Sequence, residues 1–550
     1  MRKELIIQIC IALVIFSIPA FFLVRRLGSA DEPPPVVEPP LLFPTLHINT
    51  AQHPFDMERG FFHWIDGSIS LEGMQVYDFV EMDVRVRGRG NTTWMWAPEK
   101  RPLRLRFPRP VYFPGSLYAH QDWILLANHF DVSMLRNHAA FYLSNLMCNI
   151  PFTHVSHFVH VYINGVYYGV YELTDERDTG PGRANLHLNT NPALSEYLFE
   201  LDGHLWGRGM RGEIVPGVDF FSVDGRDYDL RFPRQQDWNG HREYLQAFVY
   251  RVSDAIHTQD YETIRAVIDV ESFIDYYLVM EWMKVADVGW FSVFMSVRGV
   301  GDERRLHFGP VWDFDRSAGH MPEEAEPEGL WAARVNRWFY SLLAVPEIAA
   351  LRTERWNEIY AEKIPAAIEN IRFMFERYEQ EFARNFVLHD VFGRPMRVSP
   401  YEIWGLPDHA AHVAFLIEWL EIRSRWLDDA FNGRPTSNSD MFINNNPRAD
   451  LVAGMLYLPD FAPIGIRKDG AFIPVETTLL LINNRNLMNY RDVYAVFGIP
   501  MDAAEARETD FAHAFREYVF IPVRELAEAL GYEVEWNPDE RVVELTYTSD

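Results

Sequence analysis

The chain has 550 residues, 48% of them apolar and 23% charged, which is too long for one ordinary core and too apolar for wholesale disorder. Its 51 Lys and Arg against 78 Asp and Glu give a net charge of −27, which excludes an ordinary nucleic-acid binder, since phosphate contacts need an excess of clustered cations. Two cysteines, Cys10 and Cys148, exclude a disulfide scaffold and a four-ligand structural zinc site.

Arg2 and Lys3 precede a stretch from Leu5 to Val24 broken only by Gln8, Ser17 and Pro19, and Arg25 and Arg26 follow it. A run of that length suits a spanning helix better than the shorter core of a cleavable signal. The expectation is a signal anchor over 1–27. Cleavage after Ala30 is the alternative, giving a secreted chain. A Pro-rich linker over 28–44 then lifts the folded part off the membrane.

From Leu46 to Phe107 apolar and polar residues alternate, as in Met82-Asp83-Val84-Arg85-Val86-Arg87 and Leu103-Arg104-Leu105-Arg106-Phe107, which reads as half-buried strands. Trp123 to Ala127 is a continuous apolar strand, and Met134 to Met147 is helical. Val159 to Tyr171, with Asn164-Gly165 at its centre, carries the signature of a β-hairpin. Beyond Asp237 the period becomes helical over 244–256, 261–270, 272–284, 357–382 and 409–431. One strand pair interrupts these helices, Phe291 to Val297 with Leu306 to Trp312. A sheet-rich N-lobe followed by a helical C-lobe is an α+β body over 45–431 with a cleft between its halves. A polar run marks a linker over 432–454. The last segment, 455–550, is a small α+β domain with an internal repeat, Arg491–Gly498 against Arg524–Gly531, and a closing hairpin.

Four polar clusters stand among the strands. Arg87-Gly88-Arg89-Gly90-Asn91-Thr92-Thr93-Trp94 offers glycines and polar groups to a phosphate, or is a plain glycine turn ahead of a tryptophan. Lys100, Arg101, Arg104 and Arg106 form a cationic patch or a solvated strand edge. Asp287 sits at a helix-to-strand junction. Asp313 and Asp315 follow a buried strand and offer the hard oxygens that Mg²⁺ or Mn²⁺ prefers, or close a solvated turn. One carboxylate to orient a nucleophile and two to hold a metal is what phosphoryl transfer needs.

In order and spacing, Arg89-Gly90-Asn91-Thr92-Thr93-Trp94, Lys100-Arg101-Pro102-Leu103-Arg104-Leu105, Trp123 to Asn128, Leu135-Arg136-Asn137, Val161 to Gly165, Asp287 and Phe308 to Asp315 resemble the CotH kinase family, over about 69–431. The resemblance implies an atypical protein-kinase-like, two-lobed fold. It implies transfer of the ATP γ-phosphoryl group to Ser or Thr of a protein acceptor, with Mg²⁺ or Mn²⁺. By it Asp287 is the catalytic-loop Asp, and Asp313 binds metal with Asp315 as helper. Lys100, Arg101 and Arg104 are the alternatives for the phosphate-contacting base, with Asn91 beside them, and Asp175 stands where the family usually has Glu. Many members carry Asn five residues after the catalytic Asp as a second metal ligand. Here that position is Ser292, a weaker ligand, and the stretch around Asp287 is apolar for a catalytic loop.

The tail, from Ile521-Pro522-Val523-Arg524 through Trp536, resembles the copper amine oxidase N-terminal-like domain. With one histidine (His513) and no cysteine it is no copper site, and its expected role is adhesion to cell-wall or surface components, or spacing. The chain is thus expected at a bacterial membrane as a single-pass protein with an extracytoplasmic ectodomain. The competing readings are a pseudokinase acting as a surface binding module, and a glycoside hydrolase using paired carboxylates.

Overall fold

A computed structural model describes residues 42–436 except 58–61, 75–76, 91, 114–115, 117, 181, 206–219, 235–239, 321–325, 394–399 and 435; in the tail it describes 465–468, 471–473, 480–482, 485–489, 513–515, 518–522, 527–528, 530, 532–537 and 542–547. The expected signal anchor and the first copy of the tail repeat lie outside the described residues. Among the described residues no helix is long and apolar enough to cross a membrane.

The alternating segments close into a seven-stranded barrel, ordered β1-β2-β3-β4-β5-β7-β6. The strands are β1 (Thr45–Thr50), β2 (Ile65–Glu72), β3 (Phe79–Gly88), β4 (Leu103–Val111), β5 (His120–Leu126), β6 (Ser156–Ile163) and β7 (Val166–Asp175). Period-two alternation puts Val84, Val86, Leu103 and Leu105 inside the barrel with Trp94 and Trp123. Arg85, Arg87, Arg104 and Arg106 therefore project from its outer face. Closure depends on a parallel pairing of β1 with β6, in which Leu46 lies opposite Val161. A short helix, α1 (Thr92–Trp96), carries Trp94 into the core, and a Cβ at Gly88 would come within 2.5 Å of its ring. Gly88, the last residue of β3, is thus required for packing under Trp94.

Helix α2 (Arg136–Leu146) follows β5. Beyond β7 the chain adds β8 (Tyr197–Leu201), β9 (Phe221–Val223), β10 (Arg226–Phe232), β11 (Val293–Arg298) and β12 (Arg305–Phe308), which form one antiparallel sheet ordered β12-β11-β8-β10-β9. The strand pair expected to stand alone among helices, β11 with β12, is instead the edge of this five-stranded sheet. Strand β12 stops at Phe308 because Gly309 adopts φ 122° and Pro310 has no N–H for the ladder.

The sheet packs on α3 (His241–Thr258), α4 (Val270–Trp282), α5 (Ala332–Val335), α6 (Pro346–Leu388) and α7 (His409–Phe431) in a continuous apolar core. Helix α7 has the bounds that its periodicity gives. Helix α6 runs well past both ends of the expected 357–382, with a non-helical residue at Tyr378. Phe43, just before β1, is buried against Tyr378 and Phe382. The architecture is α+β, with the sheet-rich N-terminal part a closed barrel.

In the tail, the expected hairpin is present as Tyr532–Asn537 paired with Val542–Tyr547. The latter strand also pairs in parallel with Gly465–Lys468. A second four-stranded sheet holds Leu480–Ile482, Arg485–Asn489, His513–Phe515 and Tyr518–Pro522.

Candidate functional site

Between the barrel and the five-stranded sheet lies a cleft of about 360 Å³. Its barrel wall is Arg87 to Gly90 at the end of β3, Arg104 and Arg106 of β4, and Glu176 to Asp178 after β7. Its other wall is Arg231, Arg234 and Phe294. Seven arginines line it, in a chain of net charge −27.

At one end, Arg177 and Arg89 lie over the Trp312 ring, 4.4 and 5.4 Å from its centroid. Burial, then Arg177, pushes the Arg89 guanidinium down to about 10, while Glu176 and Asp313 attract it. Burial pushes the Glu176 carboxyl up, but Arg104, Arg177 and Arg89 outweigh it and hold the group well below the usual carboxylate range. Arg104 contacts Glu176 at 3.1 Å and Asp122 at 3.2 Å.

Next to Trp312 stand the carboxylates. Asp287 lies in a turn over Ala286–Gly289, and Asp313 and Asp315 in the segment after β12. Burial, reinforced by Asp313, raises the proton affinity of Asp287 against the pull of Arg316, whose Nη1 is 3.8 Å from Asp287 Oδ2. Burial and then Asp313 push the Asp315 carboxyl up to about 7. The apolar surroundings of Asp287 have a packing origin. Val285 and Val288 offer their carbonyls to Trp331 Nε1 (2.8 Å) and Asn336 Nδ2 (2.9 Å), and a Cβ on Gly289 would meet Val335 O at 2.7 Å. Asp287 is the polar residue of a turn clamped against α5.

The Asp313 segment is held by α2. Asn137 Oδ1 accepts the Phe314 N–H at 2.9 Å, while Arg136 donates to Ser317 O (2.9 Å) and Ala318 O (3.2 Å). Arg136 is itself fixed by Asp131 at 2.5 Å, in a fully buried pair. The Leu135-Arg136-Asn137 motif is therefore a clasp on the acidic segment.

The structure thus brings together Asp287, Asp313, Asp315 and Ser292, whose Oγ donates to Asp313 Oδ2 at 2.9 Å, and sets Arg104 in the adjoining cleft. It places three other expected residues elsewhere. Lys100 is buried, with Nζ 2.7 Å from Asn385 Oδ1 of α6 and over the Tyr171 ring. Arg101 donates to Phe55 O and lies over Trp94. Asp175 is buried on Arg183 at 3.0 Å, while its neighbour Glu176 lines the cleft. Asn91 lies outside the described residues. Arg89 comes from the glycine-rich cluster offered to a phosphate, whereas Glu176, Arg177, Arg231 and Arg234 are cleft residues that the sequence did not single out.

Among the described residues, no three His, Cys, Asp or Glu side chains gather as a self-sufficient metal site. The donor set does fit a hard cation shared with phosphate oxygens, because Mg²⁺ is commonly held by one or two carboxylates plus substrate phosphates. Burial first, and then Asp313, disfavour charge on Asp315, with Arg316 opposing them.

The model of the family described as CotH kinase protein matches residues 84–427, and that of the copper amine oxidase N-terminal domain matches 505–550, which contains the second tail repeat but not the first. No curated protein matches the chain. With well over half of its length matched, this chain belongs to the CotH kinase family and ends in a copper amine oxidase N-terminal-like domain.

Proposed function

We propose that the protein is a membrane-anchored, extracytoplasmic kinase that transfers the γ-phosphoryl group of ATP to a Ser or Thr hydroxyl of a protein acceptor. The observation that carries this is the junction at Trp312, where the Arg89–Arg177 end of a cationic cleft meets Asp287, Asp313 and Asp315. In this reading the barrel and the helix-rich part are the two lobes of a kinase-like body. Arg89 and Arg177 neutralise phosphate oxygens, and Asp287 orients the acceptor hydroxyl and takes its proton. Asp313 and Asp315 hold Mg²⁺ or Mn²⁺, which supplies charge neutralisation on the phosphates. The tail attaches the protein to wall or surface components.

A binding module without transfer has two observations in its favour: Ser292 is engaged with Asp313, and Arg316 stands beside Asp287. Thermal melting separates the two. A ligand bound to the native state raises Tm, so ATP with Mg²⁺ or Mn²⁺ should do so, and Asp313→Ala should remove the shift. No shift at millimolar ATP with either metal would leave the binding module standing.

A further inference from the structure

The cationic surface extends beyond the phosphate end of the cleft. On the outer face of β3 and β4, Arg85 lies directly opposite Arg106, and Arg87 opposite Arg104. Like charges in direct cross-strand register are destabilising. Carboxylates flank the four: Asp66 of β2 lies opposite Arg85, and Glu176 contacts Arg104 at 3.1 Å. Asp122 binds Arg104 and Arg106 at 3.2 and 2.7 Å, but among the described residues no carboxylate forms an ion pair with Arg85 or Arg87, and the buried Arg87 Nε has no hydrogen-bond partner. All four guanidiniums gather on Trp64, which precedes β2, at 4.7–5.8 Å from its ring centroid.

From Arg89 to Arg85 the strand covers about 13 Å at roughly 3.3 Å per residue. Cationic charge thus runs on past the Trp312 end, to more guanidinium than a metal-neutralised triphosphate requires. Guanidinium forks match carboxylate and phosphate oxygens in a planar, bidentate way, and this patch stands on a chain of net charge −27.

We propose that the Trp64 arginine lattice seats the acceptor polypeptide, and that the acceptor carries anionic side chains, carboxylates or phosphoesters, beside the hydroxyl that receives the phosphoryl group. This rests on the transfer reading above, and it adds the class of acceptor.

The test uses three fluorescent peptides around the same central serine, flanked by neutral residues, by aspartates or by phosphoserines. Their anisotropy is titrated with the full chain without nucleotide. An anionic peptide should bind at least tenfold more tightly than the neutral one, with affinity that falls as salt rises. The aspartate and phosphoserine arms identify which anion is seated. Arg85→Gln with Arg87→Gln should bring the anionic peptide to the neutral level. Arg85→Gln alone, at an exposed position, should weaken it severalfold and serves if the double variant does not fold. Equal affinity for all three peptides, or anionic binding untouched by these substitutions, overturns the proposal. So does tighter binding of a poly(glycerol phosphate) chain than of either anionic peptide. Labelled ATP added to the same mixtures separates the two claims. Selective binding with no transfer to any peptide counts against the kinase reading alone, whereas equal binding of, and transfer to, all three counts against the lattice alone.

Discussion

Ser292 Oγ donates to Asp313 Oδ2 at 2.9 Å, and both residues occupy the left-handed backbone region, with φ of 57° and 74°. Non-glycine residues sit there at a cost of about 1–3 kcal/mol each, so the rest of the fold must hold them in place. The hydroxyl proposed as a second metal ligand donates instead to Asp313, the carboxylate proposed as the first.

Asn tolerates this backbone better than most residues. Ser292→Asn should therefore fold normally and bind Mn²⁺ with ATP at least as well as wild type. Ser292→Val, β-branched and without a donor, should destabilise the chain by about 1–3 kcal/mol and weaken Mn²⁺ binding. Urea unfolding and Mn²⁺ titration measure both, and a fully stable valine variant would contradict the account of this pair.

Asn137→Ala leaves the buried Phe314 N–H unpaired between Asp313 and Asp315. The expected loss is about 1–3 kcal/mol of stability, with transfer reduced on the order of 10- to 100-fold as both carboxylates lose their setting. Stability lost with full activity would show that α2 does not position the acidic segment.

Much of this was legible in the sequence, and the failures have physical causes. Helix α7 has a strong period and a side-chain N-cap at Asp408, so its ends could be read directly. The closure of β1 on β6 joins residues more than a hundred positions apart, which no local pattern encodes. Asp175 was one residue off. It lies in register with Trp123 and Leu105, which face the barrel core, while the cleft draws on the alternate positions, Arg104 and Arg106. Reading the strand period through β7 would have pointed to Glu176. Asp313 and Asp315 could be proposed from the sequence because acidic residues directly after a buried strand are chemically conspicuous. Arg89 could be read only as part of a glycine-rich cluster and Arg177 not at all, since their meeting over Trp312 is a tertiary contact.

Glu172 tests the buried polar network behind the site. Asn128 and Ser156 donate to it at 2.7 and 2.5 Å, yet burial still pushes its carboxyl up from 4.5 to about 7. The folded state therefore binds this proton more tightly than the unfolded state does. The resulting stabilisation is complete below about pH 4.5 and is lost as pH rises through about 7. Wild type should lose up to roughly 3 kcal/mol relative to Glu172→Gln between pH 4.5 and 8. Unfolding of both proteins across that range measures it, and a pH-independent difference would contradict the shift.

Lys100→Met tests whether this lysine contacts phosphate. Burial pushes its ammonium well below the ordinary lysine value, and Asn385 Oδ1 would still accept the Val170 N–H at 3.2 Å. The variant should stay within about 1 kcal/mol of wild-type stability or gain, because a buried lysine with no ion pair among the described residues is replaced by an apolar chain of similar volume, which offsets the lost hydrogen bond to Asn385. Transfer should be unchanged. Loss of nucleotide binding in the folded variant would restore Lys100 as the phosphate-contacting base.

The most direct measurement is transfer of labelled phosphate from ATP to a serine peptide or to the chain itself, with Mg²⁺ or Mn²⁺, by wild type, Asp287→Ala and Asp313→Ala. The account predicts metal-dependent labelling by wild type and losses on the order of 100-fold or more in both variants. Asp287→Ala should still bind the nucleotide, and Asp313→Ala should not. Labelling that survives Asp287→Ala, or no labelling by a wild-type chain that binds ATP and metal, would contradict it.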